Sequence, residues 1–243
     1  MPELKRALSY GLPAFAMAEF YLPTEAADLG VDSEMKKSNY LIIIAICAAL
    51  LYNAWILAFW LNPTVVNSSL LSGLSALDQP YHQLFTLTDI LFACFSLILA
   101  WGLFKQNERE DKRLLIIFLS IAGFGAATGL ATLFPYADIA HSEGIPNPLK
   151  APELFLHDGL SVLALLFILT GVIFSLLVYR NKFVFLLAIA FVITTLLSFI
   201  AGAIPQLVGP LGQQINGVLG GIWLVFICWR VLNDISKEVR KEN

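Results

Sequence analysis

The sequence predicts an all-α, polytopic membrane protein: a bundle of six transmembrane helices with both termini in the cytoplasm. Its composition is the first indication, because 58% of the 243 residues are hydrophobic and only 14% are charged. Soluble domains carry about 25% charged residues. The second indication is a set of six apolar segments of about 20 residues, the length that crosses a bilayer core. The third is that nearly all Lys and Arg residues lie on one side of these segments.

The six predicted spans follow one another along the chain. They cover Tyr40–Leu61, His82–Phe104, Arg113–Phe134, Leu156–Tyr179, Phe183–Ile204 and Leu211–Leu232. The fifth contains FVFLLAIAFVITTLL, which has almost no polar stripe, so we expect this helix to face lipid. The third and sixth contain Gly125-Ala-Ala-Thr-Gly129 and Gly217-Val-Leu-Gly-Gly221, small-residue patterns that let helices approach closely. These small-residue faces also offer a route to a homo-oligomer.

The basic residues predict which way the chain faces. Fourteen of the fifteen Lys and Arg residues fall on one side of the six spans, and only Lys150 falls on the other. Positive charge is retained in the cytoplasm, which predicts cytoplasmic termini and a multi-pass protein of the bacterial plasma membrane. A net charge of −3 without basic blocks argues against nucleic acid as a partner. Membrane lipids are the expected partners.

Two regions are predicted: an N-terminal extension, residues 1–34, and a six-helix domain, residues 35–243. Met35-Lys36-Lys37 directly ahead of the first span is typical of a bacterial membrane-protein start. The extension is therefore interpreted as an accessory segment or a misplaced start. The alternative is a signal peptide that ends near Ala18, although Pro13 interrupts its short apolar core.

The two outer loops, residues 62–81 and 135–155, are the longest connections between the predicted spans. Long connections in a compact domain are often functional. In the first loop, Leu70, Leu74 and Leu77 recur at helical spacing, and Ser68 precedes them. This pattern predicts a short amphipathic helix that lies in the membrane interface or over the mouth of the bundle, with Ser68 as its N-cap.

Polar residues on the second and fourth spans predict a cavity that is open to the extracytoplasmic side. Asp89 on the second span would cost about 2 to 3 kcal/mol if it faced lipid, even on a mild scale. The polar face of the helix that carries it should therefore point to the bundle interior. Gln213 and Asn216 at the outer end of the sixth span are placed to hydrogen-bond into the same mouth. We expect the cavity to bind a lipid or a small amphipathic ligand. Its candidate residues are His82, Thr86, Asp89, Asp138, His157, Asp158 and Ser161.

Two other functions stay open at this point, and no catalytic residue is assigned. A metal-dependent hydrolase of lipid-like substrates would hold zinc through His82, Asp89 and His157. No HExxH or comparable motif places two of these ligands on one helix. A proton-coupled transporter would use Asp89, although the six spans show no repeat or broken helix pair of the transporter kind. The alternative for His82 and His157 is a plain structural role at the membrane boundary.

Three short motifs mark a family resemblance that covers about residues 40–233. They are LSGLSALDQPYHQLF, ATLFPYAD and LHDGLSVLALLF. The chain resembles the domain-of-unknown-function 998 family of six-helix bacterial and archaeal membrane proteins. Ser72 stands where the family often has an acidic residue, and His82 and Asp89 match no pattern of the family. The resemblance implies the six-helix fold and supplies no reaction. The residues carried over are Leu74, Ser75, Pro80, Tyr81, Phe134, Pro135, Asp138 and His157.

Overall fold

In the computed structural model, the described residues are 27–107, 111–138, 152–203 and 210–242, and all their regular structure is helical. The predicted all-α class is confirmed. The chain forms two compact units, Met1–Asn39 and Tyr40–Asn243. Most of the predicted extension lies outside the described residues, and the first described helix begins at Ala27, ahead of Met35.

The described elements run in a simple order along the chain. Two short 3₁₀ helices, Ala54–Leu57 and Leu71–Ser75, lie between the longer elements near the start. The α-helices are α1 (Ala27–Tyr52), α2 (Ala58–Leu61), α3 (Pro63–Ser68), α4 (His82–Gln106), α5 (Lys112–Ala131), α6 (Pro152–Val178), α7 (Lys182–Ala203) and α8 (Leu211–Glu242).

Five described helices, α4 to α8, are long and apolar enough to cross a membrane. A sixth span is present if Asn39–Tyr52 and Ala54–Leu61, which meet at a bend of 45°, are counted together. The break falls at Asn53, whose side-chain amide donates to Ala49 O at 2.9 Å and to Gly217 O at 3.2 Å. A side chain that bonds backbone carbonyls in this way competes with continued helix. The predicted first span, Tyr40–Leu61, is therefore bent rather than continuous.

Helix α5 lies between α4 and α6 and packs along both, while α7 packs along α8 and also contacts α6. Helices α4 and α6, which carry the predicted polar stripes, are thus joined mainly through α5. The core contains Trp223, which is fully buried and donates from Nε1 to Ser175 Oγ at 3.0 Å. Gly171 leaves the space for that indole, since a Cβ there would lie 2.7 Å from Trp223 Cη2.

Glycines of both predicted small-residue patterns lie at close contacts between elements of the same chain. A Cβ on Gly125 would lie 2.5 Å from Ser96 Cβ, so α5 approaches α4 closely at this point. A Cβ on Gly221 would lie 2.7 Å from Asn53 Nδ2, so α8 approaches the break after α1. The homo-oligomer predicted from these faces stays a prediction.

The first outer loop differs from its prediction. A single amphipathic helix capped by Ser68 is wrong, because Ser68 ends α3 and its hydroxyl donates backwards to Thr64 O at 2.7 Å. Pro63 starts α3 at the first helical position, which its fixed φ favours. The extended backbone of Ser69 then breaks the helix, and a 3₁₀ turn follows. Leu74 is buried under this turn, whereas Leu77 is exposed.

Candidate functional site: an acceptor-lined cavity at one end of the bundle

A cavity of about 180 Å³ lies at one end of the bundle. The first turns of α4, α6 and α8 contribute to it, together with the last turns of α1, α5 and α7 and the 3₁₀ helix of the first outer loop. Most of its wall surface is apolar, with Leu51, Trp55, Phe85 and Phe124 among the lining residues. Its polar lining residues are Tyr52, Ser72, Ser75, Thr86, Thr88, Asp89, Thr128, Thr132, His157, Ser161, Ser198, Gln213 and Asn216.

Four of the seven candidate residues line this cavity: Thr86, Asp89, His157 and Ser161. The other three lie outside its lining. His82 lines a neighbouring groove, and Asp158 accepts a hydrogen bond from the Tyr136 hydroxyl. Asp138 is half-buried in the segment after α5, and this residue is not without a partner.

Among the described residues that line the cavity, Asp89 is the only acidic one, and none is Lys or Arg. It lies seven residues into α4, which places it about 10 Å from the start of that helix. The hydrogen bonds of the described residues include none to its carboxylate. An ionisable group at such depth in a membrane helix is a candidate for a functional site, because its burial is costly.

His157 is held in one tautomer by the end of the neighbouring helix. Its Nδ1 lies 3.1 Å from Ala131 O and 3.0 Å from Phe134 O, two carbonyls at the carboxyl end of α5. Since carbonyls only accept hydrogen bonds, Nδ1 carries the proton, and in the neutral ring Nε2 is a bare acceptor. His157 is only 5% exposed, and no described atom bonds its Nε2. A buried acceptor without a partner is thus present at the cavity wall.

Asn216 supplies a second acceptor of this kind. Its Nδ2 donates to Thr194 Oγ1 at 3.2 Å and to Thr195 Oγ1 at 2.9 Å. The orientation of the amide follows because the Thr194 hydroxyl proton is already directed to Ala190 O and Phe191 O, so Thr194 Oγ1 must accept. Asn216 Oδ1 is therefore the free end, and it is buried without a partner among the described atoms.

The expectation that the fifth span simply faces lipid is wrong for one of its faces. Thr194, Thr195 and Ser198 of α7 are buried, and Ser198 lines the cavity. The signal in the sequence was the spacing of Phe191, Thr194, Thr195 and Ser198, which places all four on one helix face. It was missed because three hydroxyl residues hardly lower the hydropathy of so apolar a segment.

Tyr136 joins the first outer loop to α6 beside the cavity. Its hydroxyl donates to Asp158, its backbone O accepts from Leu77 N at 2.9 Å, and its ring lies 4.4 Å from that of His157. Burial raises the pKa of the Tyr136 phenol, and the hydrogen bond and charge of Asp158 raise it further. The phenol is therefore a neutral hydrogen-bond donor, and the carboxylate of Asp158 is its acceptor. No sequence motif indicated the role of Tyr136.

A mainly apolar groove of about 260 Å³ adjoins the cavity. It is lined by Leu77, His82, Gln83, Leu87 and Ile90, and it shares Thr86, Thr132 and Pro135 with the cavity. Leu77, Leu87 and Ile90 of this lining are exposed. The cavity and an apolar surface beside α4 are therefore neighbours that share part of their walls.

Zinc was predicted to bind His82, Asp89 and His157. Among the described residues, no three His, Cys, Asp or Glu side chains are placed to hold a metal ion together. His82 lies on the groove, while the other two lie on the cavity. No observation of these side chains favours a zinc centre, and the metal site stays a prediction.

The family model described as "Protein of unknown function (DUF998)" matches residues 45–230. The chain belongs to this family. The match includes every residue that lines the cavity and the groove, so the whole candidate site lies within the DUF998 region. No curated protein and no solved structure matches the chain.

Proposed function

We propose that this DUF998 protein binds a lipid or a small amphipathic ligand from the extracytoplasmic side of the plasma membrane. The polar headgroup lies in the cavity, and the apolar chain lies in the groove beside α4. Both termini lie in the cytoplasm.

The observation that carries this proposal is the direct junction between a polar cavity and an apolar groove. Thr86, Thr132 and Pro135 line both, so one molecule can occupy both spaces. A dry cavity of about 150 Å³ binds benzene. The cavity, at about 180 Å³, therefore has room for a headgroup of a few heavy atoms but not for a whole lipid. The remainder of an amphiphile would follow the groove towards the bilayer.

The distribution of charge supports the proposed orientation. Lys105, Lys112, Arg180, Lys182 and Lys237 lie at or near the ends of α4 to α8 that are remote from the cavity. No described Lys or Arg lies at the cavity end of these five helices. The positive-inside rule assigns the basic end to the cytoplasm, which leaves the cavity on the other side.

A tryptophan at the junction tests the proposal. Thr86→Trp would fill the passage between cavity and groove, while Cys94→Trp adds a similar bulk to an exposed position of the same helix. We expect the unmodified chain and Cys94→Trp to retain a co-purifying amphiphile, detected by native mass spectrometry, and Thr86→Trp to lose it. Size-exclusion profiles show whether each variant is folded. Equal retention by two folded variants, or no bound amphiphile in any of the three, would contradict the proposal.

A further inference from the structure

We propose that the headgroup bound in this cavity is a primary ammonium. This inference rests on the proposed function and names the chemical class of its ligand. It follows from the hydrogen-bond donors and acceptors of the described cavity wall. Among the described lining residues, two buried acceptors have no described partner, Asp89 is the one acidic residue, and none is basic.

Two lining acceptors are buried without a partner among the described atoms, His157 Nε2 and Asn216 Oδ1. The half-buried carboxylate of Asp89 lines the same cavity and adds a negative charge to it. The His157 ring is fixed by two backbone carbonyls, and the Asn216 amide by two threonine hydroxyls. Neither group needs to rotate to accept from a ligand. Buried acceptors of this kind are costly when left unpaired, so a ligand that donates to them is favoured.

Several of the donors around the cavity are, by contrast, used by the chain itself. The hydroxyls of Thr88, Thr128 and Thr132 donate to the backbone carbonyls of Phe85, Phe124 and Gly129 at 2.7 to 2.9 Å. Ser75 and Ser198 donate to Ser72 O and Thr194 O in the same way, and Trp55 Nε1 donates to Asn53 Oδ1 at 3.2 Å. An anionic headgroup would still meet the hydroxyls of Tyr52, Thr86 and Ser161, but it would be repelled by Asp89.

A primary ammonium fits this wall better than the other common headgroups do. It carries a positive charge for Asp89 and three N–H donors for the acceptors. A quaternary ammonium has the charge but no N–H group, and an alcohol has one donor but no charge. The three headgroups therefore separate the contribution of charge from that of hydrogen bonding.

Binding of four octyl compounds to the full chain in a maltoside detergent at pH 7 tests the inference. The probes are octylamine, octyltrimethylammonium, octanol and octyl phosphate. We expect octylamine to bind roughly tenfold or more tightly than each of the others, because only it supplies both charge and donors. Isothermal calorimetry gives the dissociation constants.

Two matched variants place the effect in the cavity. Asp89→Asn keeps the shape of the side chain but removes its charge, and we expect it to weaken octylamine binding roughly tenfold or more. Asp78→Asn removes a carboxylate from an exposed loop position outside the lining, and we expect no change. Equal weakening by both variants would indicate a general charge effect and overturn the inference.

The outcomes separate this inference from the proposed function. If octyltrimethylammonium or octanol binds the unmodified chain as tightly as octylamine, the ammonium assignment is overturned while amphiphile binding stands. If octyl phosphate binds most tightly, the assignment is overturned in the same way. If none of the four binds, both proposals fail.

The ammonium has two sources, a phospholipid headgroup or a free amine. Nanodiscs with equal amounts of ethanolamine and choline phospholipids distinguish them, with retained lipid read by native mass spectrometry. Selective retention of the ethanolamine lipid supports the assignment and gives a lipid as the source. Equal retention together with selective octylamine binding supports it and gives a free amine. Selective retention of the choline lipid would overturn it.

Discussion

Single residues at the cavity end combine polar contacts that come from different helices. His157 on α6 is oriented by carbonyls of the α5 end, and Asn216 on α8 is oriented by hydroxyls of α7. Tyr136 stabilises this arrangement from outside the spans, because it bonds both Asp158 on α6 and the backbone of Leu77 in the first outer loop. The positions of the acceptors therefore depend on the packing of several elements at once.

Tyr136→Phe tests this connection and its pH dependence. We expect the free energy of unfolding at pH 7 to fall by about 1 to 3 kcal/mol, because the half-buried Asp158 loses a donor. Folding raises the pKa of the phenol. The contribution of the phenol to the free energy of unfolding is therefore complete below its unfolded pKa of about 10. Above that pH the contribution declines by about 1.4 kcal/mol per pH unit. Unfolding curves at pH 7 to 11 measure both effects.

The exposed Tyr81 provides the control for that experiment. Tyr81→Phe removes a hydroxyl at the same end of the chain but from a solvent-facing position, and we expect the stability of this variant to follow that of the unmodified protein at every pH. If Tyr136→Phe is as stable as the unmodified chain and loses stability equally above pH 10, the hydroxyl of Tyr136 is not a structural contact.

At the scale of the elements, the close packing of α5 against α4 depends on Gly125. At Gly125 of α5 an added Cβ would meet Ser96 Cβ at 2.5 Å and Ala93 O at 3.2 Å, and a backbone atom cannot move aside easily. At Gly159 of α6 an added Cβ would have nothing within 4 Å. The two positions differ in packing, although both are glycines in apolar helices.

Gly125→Ala is expected to lower the free energy of unfolding by about 1 to 3 kcal/mol, because it overpacks the contact of α5 with α4. Gly159→Ala is the matched control and is expected to be neutral or to stabilise by up to about 1 kcal/mol, because alanine favours helix. Thermal unfolding in detergent measures both. A Gly125→Ala protein as stable as Gly159→Ala would mean that α4 and α5 do not pack this closely.

The elements also show what can be predicted from sequence. The five longer spans were found because each is a long apolar run, and Asp89 was noticed because a carboxylate in such a run is conspicuous. The bend at Asn53 was not predictable in this way, since it depends on a bond to Gly217 O on a distant helix. The same holds for Asn216, whose free acceptor is defined only by its contacts with Thr194 and Thr195 of α7.

The whole molecule has the surface of a protein surrounded by lipid. Large apolar side chains are exposed along the outer faces of the long helices, as at Leu97, Leu119, Leu166, Leu186 and Leu196. Water-soluble monomers rarely expose apolar surface on this scale. The polar residues that line the cavity lie instead between the spans, at one end of the bundle.

A cysteine at Ser161 tests the central claim that this cavity is open to the extracytoplasmic side and binds an amphiphile. Ser161→Cys is placed in a chain whose Cys47, Cys94 and Cys228 are replaced by alanine, and Lys182→Cys in the same background marks the exposed opposite end. Labelling of intact cells with a small membrane-impermeant thiol reagent is the measurement. We predict that Ser161→Cys is modified from outside and protected by octylamine, whereas Lys182→Cys is modified only after the cells are broken. Modification of Lys182→Cys from outside, or labelling of Ser161→Cys that no amphiphile slows, would contradict the account.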